Sequence, residues 1–283
     1  MRVGVIGGGL MGSGIAEVCA RSGVDVTVVE ADDERAERSR AAIEKSLARG
    51  VRSGKLSEDE HAAALDRLVV TSTFEDLEGA DAAIEAVVED ETLKGDVFRR
   101  LDELLPDARF LASNTSSVPI MKLGAQTTQP GRVLGLHFFN PVPVLPLVEI
   151  VTSIMTEPET VHAVRDFAET TLGKTCIDSQ DRAGFIVNAL LIPYLLSAIR
   201  MYESGFASKE DIDHGMVLGC AHPMGPLRLA DLIGLDTLLA VAKSLYAEFR
   251  DPASVAPALL NRMVEAGLLG RKSGRGFYDY SAN

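Results

Sequence analysis

The chain has 283 residues, 46% of them apolar and 24% charged, which is material for two ordinary cores and unlike a disordered segment. Its 28 basic residues against 41 acidic ones leave a formal charge of -13. Such a surface repels nucleic-acid phosphates and anionic lipid, so an anionic ligand needs a locally positive site. Cys19, Cys176 and Cys220 are widely spaced, odd in number and form no CxxC pair, which argues against a disulfide framework or a zinc site and for a reducing compartment.

The opening MRVGVIGGG breaks its apolar run with glycines and no A-x-A pattern follows, so no export signal is expected and the chain is read as cytoplasmic. Short runs rich in β-branched residues predict strands at Val3–Ile6, Asp25–Glu30, Leu68–Thr71, Ala82–Val87, Phe110–Ser113 and Val133–Phe139. Amphipathic segments between them predict helices, among them Leu10–Ser22, Asp33–Arg49 and Glu91–Leu105, the last stopped by Pro106. Strand and helix in strict alternation predict an α/β architecture, a doubly wound and mostly parallel sheet. Asn140–Pro146 carries three prolines and reads as a rigid loop before another strand at Leu147–Val151. A helix over about 157–172 and a strand at Thr175–Asp178 complete the first domain, 1–182.

From residue 183 to 283 the pattern is helical, over about 184–203, 208–218, 226–249 and 255–267, with PMGP and IGLD in the connections. This predicts an all-helical C-terminal domain. The stretch Gly184–Ile199 is apolar but short and holds Asn188 and Pro193, so it reads as a buried helix rather than a membrane span.

Gly7-Gly8-Gly9-Leu10-Met11-Gly12 fits G-x-G-x-x-G, with a predicted strand before it and a helix after. That context asks for a tight turn, bare backbone beside a pyrophosphate, and close packing of helix on strand, while the helix N-terminus supplies amides for phosphate. Glu30 ends the next strand, where a carboxylate accepts from ribose hydroxyls and repels a 2′-phosphate. A Rossmann-type site for NAD follows, with NADP open and FAD disfavoured by chain length.

Of five histidines, His61 and His162 fall in charged helical segments and read as solvated. His137 lies in VLGLHFFN, at the carboxyl edge where doubly wound sheets bind ligands. Glu149 stands in the apolar run LPLVEIV, where a carboxylate is costly unless paired, and the Pro-rich loop can return it to His137. A carboxylate on one ring nitrogen fixes the tautomer and readies the other nitrogen for proton transfer. Ser113-Asn114-Thr115-Ser116-Ser117 brings hydroxyls to the same edge, or caps a helix near Val118. A serine nucleophile lacks its G-x-S-x-G elbow, and no HExxH or paired-histidine spacing suggests a metal.

With these residues in place, the chain resembles the L-3-hydroxyacyl-CoA dehydrogenases of the bacterial 3-hydroxybutyryl-CoA dehydrogenase type. GVIGGGLMGSGIAEVCA, ASNTSSVPI, LGLHFFNPVPVLPLVEIV, DRAGFIVNALLIPYLLSAI, HPMGPLRLADLIGLDT and GRKSGRGFYDY carry the resemblance in order along the whole chain. It implies NAD-dependent oxidation of a short (S)-3-hydroxyacyl-CoA and the reverse reduction. His137 is then the acid/base and Glu149 its orienting partner, with Ser116 and Asn188 on the substrate's oxygens. Gly7, Gly9, Leu10, Met11, Gly12, Glu30, Glu89, Lys94, Ser116 and Asn140 are the implied cofactor contacts. Without the resemblance, Glu89 and Lys94 read as a helix-start acid and an exposed lysine. Ser46 matches a CoA contact, and Arg49, Arg52 and Lys55 add positive charge near it for the CoA phosphates. A homodimer through the helical domain is also implied. Arg271, Lys272 and Arg275, in what reads as a folded-back tail, are expected to be structural or subunit-contact residues. Arg228 departs mildly from the family pattern at a position read as surface. Two rivals remain: a dehydrogenase of a free hydroxy acid or sugar acid on the same fold, and a non-catalytic dinucleotide-binding homologue.

Overall fold

In the computed structural model, which describes residues 1–281, the apolar runs of the first 182 residues form one eight-stranded sheet. Its strands are β1 (Arg2–Ile6), β2 (Asp25–Val29), β3 (Leu68–Thr71), β4 (Ala82–Glu85), β5 (Phe110–Ser113), β6 (Val133–Phe138), β7 (Leu147–Thr152) and β8 (Thr175–Gln180). The spatial order is β3-β2-β1-β4-β5-β6-β7-β8, and every pairing is parallel except β6 with β7. Residues 139–146 are too few for a crossover helix, so β7 must return antiparallel. The chain winds outward from β1 to β3, then jumps back to β4 on the other side of β1. That reversal opens a crevice beyond the carboxyl ends of β1 and β4, where such sheets bind ligands.

The first unit's helices are α1 (Leu10–Arg21), α2 (Asp33–Arg52), α3 (Glu58–Asp66), α4 (Glu91–Leu104), α5 (Ile120–Gly124) and α6 (Pro158–Asp166), the last running on into a π turn at Phe167–Thr171. Asp32 and Asp90 cap α2 and α4, and Ser57 with Glu60 forms a capping box on α3. Ile15, Cys19, Ile43, Leu47, Val164 and Phe167 pack on Val3, Val5, Val28, Ile84 and Phe110 across one sheet face. On the other face Leu77 closes over Gly4 and Ile120 over Gly135, so helices cover both sides. The N-terminus of α5 is capped from a distance, since Asp181 accepts from the amides of Ile120 and Met121 at 2.8 and 2.7 Å. Arg132 closes the end of α4 by donating to the carbonyls of Leu105, Pro106 and Ala108 and to Asp102.

The second unit, from residue 183, contains α7 (Val187–Glu203), α8 (Lys209–Cys220), α9 (Pro226–Ile233), α10 (Leu235–Phe249) and α11 (Ala258–Glu265) around Ile192, Leu195, Ile199, Leu227, Leu238, Leu245 and Leu260. The helical run expected over 226–249 is two helices, because Gly234 at φ +101° turns the chain between them. Gly184 and Phe185, at φ +74° and 48°, likewise delay α7 until Val187. The tail folds back onto two buried carboxylates. Asp231 accepts from the amides of Phe277 and Tyr278, both at 2.9 Å, and from the Tyr280 hydroxyl at 3.1 Å. Asp213 accepts from the Leu227 amide at 2.8 Å and the Tyr278 hydroxyl at 2.9 Å. Lys272 pairs with Asp236, Arg271 lies over the Tyr280 ring, and Arg228, about half exposed, stacks 3.9 Å from the Tyr278 ring centre. Among the described residues no helix is long and apolar enough to cross a membrane.

Candidate active site

The glycine loop joins β1 to α1, and its three fingerprint glycines meet different demands. Gly7 sits at φ +89°, where a Cβ would press on the Ala86 carbonyl at 2.8 Å. A Cβ on Gly12 would overlap the Gly7 carbonyl, so the helix touches the turn just past β1 backbone to backbone. Gly9 is different: a Cβ would meet nothing of the protein within 4 Å. No side chain caps the N-terminus of α1, so bare backbone and a helix dipole face open space, a cradle that fits a dinucleotide pyrophosphate. Glu30, just past β2, accepts from the Gly8 amide at 2.8 Å and the Ser39 hydroxyl at 2.9 Å. Ser39, whose single hydroxyl proton is shared between Glu30 and the Gly8 carbonyl 2.8 Å away, is a clamp that sequence reasoning missed. The side chain of Met11 packs toward the sheet core, leaving only its backbone at the loop.

Two cavities flank this loop and share Gly9, Glu30 and Arg35. One, of about 440 Å³, lies at the β1/β4 crevice against Gly7, Ala86, Val87 and Leu93. The other, of about 530 Å³, is lined by Leu10, Arg38, Ser46, Arg49 and Asn140. The basic stretch is thereby divided. Ser46 and Arg49 face this cavity, Lys55 faces a separate one of about 340 Å³ with Arg21 and Lys174, and Arg52 lines neither. Arg35 and Arg38 were missed as companions of Arg49. The turn-by-turn spacing of residues 35, 38, 42, 46 and 49 on one helix face was the available signal.

His137 and Glu149 are partners in register across the antiparallel β6–β7 pair, so their side chains share a face. Both are buried, and His137 Nδ1 lies 2.7 Å from Glu149 Oε2. On its other side, His137 Nε2 lies 3.1 Å from Ser116 Oγ. The Phe139 ring stands edge-on to the imidazole at 4.7 Å, and Asn114 Oδ1 accepts from the Phe138 amide at 2.9 Å, tying the serine-rich loop to β6. That loop does not cap a helix at Val118. It is gathered by Glu89, which accepts from the amides of Ser116 and Ser117, both at 2.9 Å, and from the hydroxyls of Thr115 and Ser117. Burial pushes the Glu89 carboxyl up, but the Lys94 ammonium and these hydroxyls outweigh it and hold the group below the usual range. Lys94 is not the exposed lysine that its charged surroundings suggest. It is 1% exposed and pairs with Glu85 at 2.7 Å and Glu89 at 3.2 Å. Asn188 belongs to the second unit, in the first turn of α7, and is half-buried.

The family profile described as the NAD binding domain of 3-hydroxyacyl-CoA dehydrogenase matches residues 2–182, and the profile of that enzyme's C-terminal domain matches residues 184–280. A 3-hydroxybutyryl-CoA dehydrogenase of Mycobacterium tuberculosis is 57% identical over 99% of this chain and 98% of its own. One from Clostridioides difficile is 43% identical over 99% of this chain and 100% of its own. Among solved structures, that of (S)-3-hydroxybutyryl-CoA dehydrogenase from Ralstonia eutropha superposes with a TM-score of 0.91 at 44% identity, covering 99% of this chain and 98% of the other.

Proposed function

The chain belongs to the 3-hydroxyacyl-CoA dehydrogenase family of oxidoreductases, and on that premise we propose that it interconverts (S)-3-hydroxybutyryl-CoA and acetoacetyl-CoA with His137 as acid and base. The observation that carries this reading is the Glu149–His137–Ser116 chain, its Glu–His pair buried, at the carboxyl edge of the sheet that bears the glycine cradle. NAD, when bound, supplies the hydride acceptor for C3 of the substrate and, reduced, the hydride donor. The chain's own residues manage the proton. Glu149 accepts from Nδ1–H and thereby leaves a lone pair on Nε2, which takes the proton of the 3-hydroxyl as hydride departs. In reduction the same nitrogen returns the proton to the 3-keto oxygen. Imidazolium forms beside a carboxylate with no exposed surface, so its charge is compensated where water cannot help.

Ser116, within hydrogen-bond reach of Nε2, is assigned to the reacting oxygen, where it fixes the distance to His137. Asn188 is assigned to the substrate's oxygens, the role that the family resemblance implies. Glu30, Glu89, Lys94 and Asn140 are assigned to the cofactor, Glu30 favouring NAD over NADP by repelling a 2′-phosphate. Ser46 and Arg49 are assigned to the CoA phosphates, with Arg52 and Lys55 adding positive charge along the same end of α2. The homodimer is proposed through the helical unit, whose Leu190, Phe206 and Leu218 are largely exposed.

His137→Gln tests the assignment. Turnover of acetoacetyl-CoA should fall by about 10²–10⁴-fold, the usual worth of general acid–base catalysis. NADH binding, followed by its fluorescence, should persist. A variant with near-normal turnover would remove His137 from its role.

A further inference from the structure

Glu85 is the last residue of β4, has no solvent-exposed surface, and has no part in the proton transfer described above. A buried carboxylate is costly unless its oxygens are filled, and these are. Oε1 accepts from the Val87 amide and from the Lys94 ammonium, each at 2.7 Å, and Oε2 accepts from the Ser113 hydroxyl at 2.6 Å. Two of those donors lead to the same loop. The Ser113 hydroxyl in turn accepts from the Thr115 amide at 3.1 Å. Lys94 spans from Glu85 to Glu89, whose other oxygen holds the amides of Ser116 and Ser117. At the end of both arms stands Ser116, with its hydroxyl on His137 Nε2.

We infer that Glu85 is a positioning residue: through Ser113 on one arm and Lys94 with Glu89 on the other, it fixes the 113–117 loop and sets the Ser116 hydroxyl against His137. The inference rests on the reading of His137 and Ser116 given above. The physical logic lies in Lys94, an ammonium 1% exposed between one fully buried carboxylate and one that is 36% exposed. Without the charge on Glu85 the ammonium is drawn toward Glu89 and water, and the loop's anchor moves with it.

Glu85→Gln keeps the volume of the side chain and removes the charge, while Ser113→Ala cuts the other arm and carries the same test should the first variant fail to fold. Each should lower kcat for acetoacetyl-CoA reduction by about 10- to 100-fold, the scale of a displacement of about 1 Å at a reacting group. In a Ser116→Ala background the same changes should cost less than about twofold, because the residue they position is gone. Equal losses in both backgrounds, or a kcat near that of the wild type, would overturn the inference. The histidine ring ¹⁵N spectrum reads the contact directly. Glu85→Gln should move His137 Nε2 to the position it takes in Ser116→Ala, and an unmoved resonance would also overturn the inference. This second readout needs no turnover, so a chain that reduces no acetoacetyl-CoA would fail the functional reading while leaving Glu85 still decided.

Discussion

At the scale of single residues, burial separates the roles of similar side chains. Glu149 and Glu85 are both wholly buried, yet one carries a histidine and the other an ammonium and a serine. Glu30 is half-buried, and its carboxylate braces the glycine loop through the Gly8 amide. That placement makes Glu30→Gln a clean probe of cofactor choice. It should weaken NADH more than NADPH in a fluorescence titration, since the charge that repels a 2′-phosphate is gone while the loop keeps an acceptor. Equal weakening of both would move Glu30 away from the ribose. The meeting of His137 with Glu149 was legible in the sequence, because each is a lone ionisable residue in an apolar strand and a short prolyl loop joins them. The burial of Lys94 was not. Its neighbours in VVEDETLK are charged, and its stabilising partner Glu85 is held by Ser113, 28 residues further on.

Among the elements, the strands were the most legible, since β-branched runs bounded by Gly, Asp or Pro leave little freedom. The helices were less so where one residue decides a boundary. Gly234 splits an apolar pattern that runs unbroken from α9 into α10, and only its φ of +101° shows why. The helix α3 carried its signature in Ser57 and Glu60, a capping box that the hydrophobic pattern around it does not reinforce. Of the two carboxylates under the folded-back tail, Asp231 takes more of its donors. Asp231 holds two tail amides and a tyrosine hydroxyl, and burial raises its carboxyl above the ordinary range despite those bonds. Asp231→Ala should therefore lower the thermal midpoint markedly, because each buried amide left unpaired costs about 1–3 kcal/mol. A midpoint within a degree or so of wild type would mean that the tail does not need this anchor.

Over the whole molecule, charge and chemistry pull apart: in a chain of net charge -13, Arg35, Arg38 and Arg49 line one cavity beside α2, and Arg21, Lys55 and Lys174 line another. The same acidity shapes its response to pH. At Asp102, burial raises the carboxyl, but the Thr128 donors and Arg132 outweigh it and hold the group low, as Lys94 and the loop hydroxyls do for Glu89. A depressed carboxylate contributes stability above its unfolded pKa, about 4, and loses that contribution as pH falls through the lower folded value. Denaturant titrations should accordingly show stability falling as pH drops below about 5 toward pH 3. Asp102→Asn should cost more at the higher pH than at the lower, and a pH-independent cost would contradict the pairing with Arg132.

On the proposed function, this chain moves a hydride between NAD and a CoA thioester. Initial rates of NADH oxidation with acetoacetyl-CoA, set beside those with free acetoacetate and beside NADPH, test it most directly. Rapid oxidation of NADH with the thioester, little with the acid and less with NADPH is the predicted result. Equal rates with the acid would assign the chain to free hydroxy acids, and NADH that binds without turning over on either substrate would contradict the account.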